Sequence, residues 1–150
     1  MAQGSNFKID DDVGTSDQAD AAVAVDASGK FVVVWEDNRN GEADVYGQRF
    51  TAAGAVQGVN FRVNDDVGTT RQSDPRVAVD AGGNFAVGWE DNRDGNYNVY
   101  AQRYNSSGAP QGVNFKVNDD VGTTSQYDPH LAMDGLGSFV VAWEDYRDTN

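Results

Sequence analysis

An all-β fold assembled from repeated four-stranded sheets is predicted by three observations: a 54-residue block recurs along the chain, its apolar residues are those that strands favour, and no segment carries a helical period. The recurrence is explicit. The decapeptide Asn6 to Thr15 (NFKIDDDVGT) returns at Asn60 to Thr69 (NFRVNDDVGT) and at Asn114 to Thr123 (NFKVNDDVGT), without insertion or deletion between copies. The tripeptides beginning at Trp35, Trp89 and Trp143 keep the same step. Copies this similar fold alike, so the chain is one repeat array with copies at 6–59, 60–113 and 114–150. The last is truncated after its second strand, and 1–9 supplies an additional outer strand. Val recurs throughout, whereas Leu occurs only at 131 and 136 and Ile only at 9. β-Branched side chains pack well on a pleated surface, which favours strands.

The second copy shows the elements in order. Residues 76–80 alternate Val77 and Val79 with smaller or polar residues, and Ala81 to Asn84 supplies a tight turn, predicting strand A and a hairpin. Phe85 to Trp89 is a continuous apolar run, as is Phe31 to Trp35, predicting a strand B buried on both faces. After a polar loop over 92–98, Val99 to Tyr104 alternates with period two and predicts strand C, followed by a turn at Asn105 to Gly108. Gln111 to Val117 predicts strand D, with its counterpart Gln3 to Ile9 opening the chain, and an Asp-rich connection over 118–129 leads to the next strand A.

Four consecutive antiparallel strands form a meander, and one such sheet cannot bury both faces of its strand B. Stacking on neighbours is required, which matches the blades of a β-propeller; a linear β array or a sandwich is the alternative. Propellers usually need at least four blades, so the ring is incomplete in one chain. Either the chain belongs to a longer array and neighbouring repeats complete it, or copies associate into a homo-oligomer, with the strand at 3–9 of one chain covering an edge of another; the second is the favoured expectation.

A formal net charge of −13 and a pI near 4.1 repel phosphate backbones and anionic headgroups, so nucleic acid is not an expected partner. No apolar run approaches the roughly 18 residues that span a bilayer, and membrane insertion is not expected. Met1 to Ser5 lacks the basic start and apolar stretch of a signal peptide, placing any export signal outside this sequence. The chain has no Cys, which removes disulfides, thiolate metal sites and a cysteine nucleophile.

Several runs resemble a known repeat. Asn60 to Asn64, Gln72 to Ala78, Gly83 to Trp89, and Val99 to Tyr104 with Gly108 are similar to tandem repeats of large secreted bacterial surface proteins, which often lie beside RTX-type or cadherin-like segments. Strand B followed by Asp91 to Gly95 and Val99-Tyr100 resembles the blade pattern of TolB-type propellers. The resemblance implies a secreted or cell-surface setting and a non-catalytic scaffold or adhesive module. A carbohydrate-binding, lectin-like propeller is the alternative.

Two places are candidates for calcium, a hard cation that takes oxygen ligands. The hairpin after strand B, with Asp37, Asn40 and Asp44 in copy one and Asp91 and Asp94 in copy two, resembles the calcium loops of integrin-type propellers. Arg39, Arg93 and Arg147 stand where a third oxygen would fall, and a guanidinium there more naturally forks onto a carboxylate such as Glu36 or Asp37. The second place is the connection from strand D to strand A: Asp10, Asp11 and Asp12 with Asp17 and Asp20; Asp65 and Asp66 with Asp74; Asp119 and Asp120 with Asp128. Clustered carboxylates need solvation or a bridging ion, although Asp is also a turn residue.

Trp35, Trp89 and Trp143 end strand B and are expected in the core. Tyr46, Gln48, Tyr100 and Gln102 on strand C are expected at the surface, as a repeated stripe for carbohydrate or protein. Catalysis is not expected, because a site needs different groups converging from different blades and the copies offer the same set. His130, the sole histidine, replaces Ala22 and Arg76 of the other copies and supports no triad or zinc site.

Overall fold

A computed structural model describes residues 6–147. Ten strands and no helix occur among them: β1 (Gln18–Val25), β2 (Phe31–Asp37), β3 (Asp44–Phe50), β4 (Val56–Arg62), β5 (Gln72–Val79), β6 (Phe85–Asp91), β7 (Asn98–Tyr104), β8 (Phe115–Lys116), β9 (Gln126–Met133) and β10 (Phe139–Asp145). They form three antiparallel sheets in chain order, β1-β2-β3-β4, β5-β6-β7-β8 and β9-β10. The all-β expectation is met, and each sheet begins with the predicted A–B hairpin.

Strand A starts earlier than its alternation suggested, at Gln72 and not near Arg76, because a bulge lets pairing continue. Registers slip between Ser73 and Arg76, as they do at the same place in β1 and β9. The residues at the slip, Asp20, Asp74 and Asp128, take left-handed backbone with φ of 48°, 50° and 49°. Asp tolerates this region better than most residues, and a bulge re-aims the chain beside it. Strand D of the second copy is shorter than expected: Tyr104 bridges to Pro110, Gly112 bends the chain at φ 83°, and pairing resumes only at Phe115. The outer strand expected over 3–9 does not form at residues 6–9, and its start lies outside the described residues. Phe7 and Ile9 still pack on the first sheet, Phe7 with its ring 5.7 Å from that of Phe50.

The core explains why the sheets lie against one another. Pleating sends Val32 and Val34 of β2 to one face, where they join Val45, Val63, Phe85, Val87, Trp89 and Tyr104 in one cluster. Val33, Trp35 and Phe50 form a second cluster on the opposite face, covered by Ile9, Phe31 and Tyr46. Every residue of β6 is buried, since the first sheet covers one face and the third sheet the other. Each buried Val or Phe contributes roughly 1.5–3 kcal/mol relative to exposure, enough to favour stacked sheets over separate ones. Trp35 and Trp89 are fully buried; Trp143, on β10, is half-buried.

Candidate functional site

The hairpin after each strand B is a salt-bridged turn. Trp35 donates its indole N–H to Asp37 at 3.0 Å, the backbone N–H of Arg39 donates to the same carboxylate at 2.9 Å, and the Arg39 guanidinium donates at 2.7 Å. Arg39 also reaches Asp11 and lies 4.3 Å from the Tyr46 ring centroid. Trp89, Asp91, Arg93, Asp65 and Tyr100 repeat the set. Burial alone would push the Asp37 carboxyl up, but the bonds from Arg39 and Trp35 outweigh it and hold it below its ordinary range. Hydrogen bonds to Asp37 hold the Arg39 charge firmly. The guanidinium therefore fills the centre of the hairpin considered for calcium. The remaining oxygens there face neighbours: Asn40 donates to Asp44 and to the Tyr46 hydroxyl, both at 2.9 Å, and the Tyr100 hydroxyl donates to Asp94 at 3.0 Å. Burial and this bond push the Tyr100 phenol up to about 12.

The Asp-rich connections are also occupied by protein donors. Asp10 accepts the N–H of Asp12, Asp12 that of Gly14, and Asp120 that of Gly122, the self-bonded geometry of Asx turns. Asp65 pairs with Arg93, Asp66 accepts from Asn64, and Asp119 pairs with Arg147. Of these candidates the structure gathers only Asp20 and Asp74, which meet at Glu36 of the neighbouring strand B; among the described residues the others do not converge.

The stripe expected on strand C needs correction. Gln48 and Gln102 are buried, each spanning a gap between strands: Asn60 donates to Gln48 at 2.6 Å and Asn114 to Gln102 at 2.9 Å. Tyr46 and Tyr100 are half-buried beneath the arginines. Period-two alternation implied one wet face, but the segment that follows strand C runs back beside it, Asn60 from β4 and Asn114 from just before β8, and supplies half-buried partners.

A convergence lies at the end of the sheets where strand A begins and strand B ends; the sequence marks Asp20 and Asp74 as candidates but does not join them to Glu36. Asp20, Glu36 and Asp74 bring carboxylate oxygens within 4.8 Å of one another. Glu36 accepts the N–H of Asp74 at 2.9 Å and Arg71 at 2.7 Å; Glu90 likewise accepts the N–H of Asp128 at 2.8 Å. Burial raises the carboxyls of Glu36, Asp74 and Glu90, and the neighbouring Asp20 raises those of Glu36 and Asp74 further. Beside them runs an aromatic row, with Tyr97 5.4 Å from Tyr127 and Tyr127 5.7 Å from Tyr146 between ring centroids. Tyr97 lies in the field of Arg71, Glu90 and Glu36, and its phenol is raised chiefly by burial. These tyrosines occur where the copies differ: Ala43 becomes Tyr97, Ala19 and Ser73 become Tyr127, and Asn38 and Asn92 become Tyr146. Departures from the repeat were the signal that could have found the site.

No protein-family model matches the chain, and no curated protein matches it. Among solved structures it is similar in fold to the endo-arabinase from Bacteroides thetaiotaomicron VPI-5482, with a TM-score of 0.52 and 12% identity over 84% of this chain and 50% of that one. The chain thus spans about half the length of that structure. The expectation that the chain is no enzyme is corrected by this likeness: its fold is one that an enzyme uses. The premise behind the exclusion also fails, since the tyrosines give the copies different groups at one edge.

Proposed function

We propose that the chain is an array of propeller-type blades whose carboxylate and tyrosine edge recognises a polysaccharide, in a secreted or cell-surface setting where such polymers are met. The observation that carries this reading is the row Tyr97, Tyr127 and Tyr146 alongside Asp20, Glu36, Asp74 and Arg71. Aromatic faces stack on the apolar faces of sugar rings, and carboxylates accept hydrogen bonds from hydroxyls. The likeness to an endo-arabinase supports a glycan as ligand class. Affinity electrophoresis and calorimetry against arabinan and other plant and bacterial polysaccharides test the proposal. Retardation that Tyr127→Ala abolishes is expected, and absence of binding to every polymer overturns it.

A second reading, glycoside hydrolysis at the same edge, is favoured by one observation. Glu36 is a carboxyl kept protonated more readily than usual, beside Asp20 and Asp74, the kind of acid and base pairing that glycosidases use. Release of reducing ends from arabinan, lost in Glu36→Gln, is its expected result; intact polymer after long incubation leaves binding alone.

A further inference from the structure

We propose that two copies of this chain associate head to tail, the open face of β9-β10 of one copy seating on the exposed Val23 and Val25 of β1 of the other. Two junctions inside the chain show how such faces join. At the first, Val32 and Val34 of β2 share a core with Val77 and Val79 of β5, and Glu36 accepts the N–H of Asp74. At the second, Gly88 of β6 lies under Leu131 of β9, and Glu90 accepts the N–H of Asp128. The bond from a strand B glutamate to the bulged aspartate of the next sheet is therefore a repeated staple.

The same groups are displayed a third time on β10, where among the described residues no further sheet follows and Glu144 accepts only the hydroxyl of nearby Tyr146, at 3.0 Å. Val140, Ala142 and Glu144 stand on β10 at the repeat positions of Val32, Val34 and Glu36, yet Val140 is 69% exposed where Val32 is 5% exposed. The receiving groups are at the other end. Val23 and Val25, 60% and 59% exposed, occupy the positions of Val77 and Val79, and Asp20 keeps the left-handed backbone that presents the N–H of Asp74 and Asp128. The two open faces are unlike each other and complementary in the manner of the internal junctions, so the pairing is heterologous. A ring closes when each copy offers one face and receives the other. One copy spans half of the endo-arabinase structure, so two copies supply the length of that fold. The occupant is a second copy because these faces repeat the chemistry of this chain's own interior.

Light scattering and native mass spectrometry over a concentration series test the inference, at physiological salt because a net charge of −13 on each copy opposes association at low ionic strength. The wild-type chain is expected to form dimers. Val23→Asp and Val140→Asp change side chains exposed in the single chain, so each variant is expected to keep the melting temperature that the wild type shows at dilutions where it is monomeric, while its dissociation constant rises about tenfold or more, a charge having been buried without a partner. Each variant retains one intact face, so a mixture of the two is expected to recover dimers that neither forms alone. Recovery distinguishes head-to-tail pairing from pairing of like faces. A wild-type chain that stays monomeric, a dimer indifferent to both substitutions, or a mixture that stays monomeric overturns the inference.

Discussion

Gly88 and Leu131 are matched in size across the second junction: a Cβ built on Gly88 would stand 2.7 Å from Leu131 Cδ1. At the same positions of the first junction, Val34 and Val77 share the work as two residues of equal bulk. Gly88→Val is expected to destabilise by about 1–2 kcal/mol through overpacking, and Leu131→Val in the same chain to recover most of it. Thermal melts of the single and double variants read this directly; additive losses would show that the two side chains do not compensate.

The Trp89, Asp91 and Arg93 turn predicts a large effect of a different origin. Asp91→Ala removes the acceptor of a buried indole N–H and of a guanidinium that burial alone would weaken but that Asp91 and Asp65 hold charged. A loss of about 2–3 kcal/mol is expected, below the cost of breaking a fully buried pair because the Arg93 side chain remains 20% exposed. Denaturant unfolding checks the loss, and a change in Trp89 fluorescence is expected with it.

The carboxylate edge makes stability depend on pH in a stated direction. Glu36, Asp74 and Glu90 have raised carboxyls in the folded chain, so folding binds protons there. Their contribution to stability is complete below the ordinary carboxyl value and is lost as pH rises through the raised folded values. Asp37 acts oppositely, contributing above its ordinary value and losing its contribution as pH falls through the depressed one. Glu36→Gln keeps an acceptor for the Asp74 N–H and removes repulsion with Asp20. It is expected to add about 1 kcal/mol near pH 7, roughly 2–4 °C in Tm, and to add little near pH 4. Melts across that range decide it, and a variant less stable at neutral pH would show that the Arg71 bond outweighs the repulsion.

Calcium is expected to leave Tm unchanged. Arg39 and Arg93 fill the hairpins, and the Asp-rich connections are bonded to backbone N–H groups, asparagines and arginines. Melts in millimolar calcium and in chelator should coincide; a higher Tm with calcium would place a cation among these carboxylates.

The period of the repeat and the apolar runs at Phe31 and Phe85 made the sheets and their order legible, since alternation and turn residues are local properties. The bulges were not, because Asp20, Asp74 and Asp128 read as loop residues until the opposing strand shows the slipped register. Gln48 and Gln102 were misplaced for a related reason: their partners Asn60 and Asn114 lie 12 residues away, beyond the reach of a two-residue period. What the copies share marks the arginine turns, whereas Tyr97, Tyr127 and Tyr146 sit where the copies diverge.

Two kinds of bond divide the labour of the array. Arg39 and Arg93 return to Asp11 and Asp65 within their own 54-residue unit, whereas Glu36 and Glu90 reach forward to Asp74 and Asp128 of the next. A unit inserted or excised in register would leave every such bond with a counterpart of the same kind. Recombination could therefore lengthen or shorten the array by whole modules without redesigning its interior, leaving substitutions at a few edge positions to make one module unlike another.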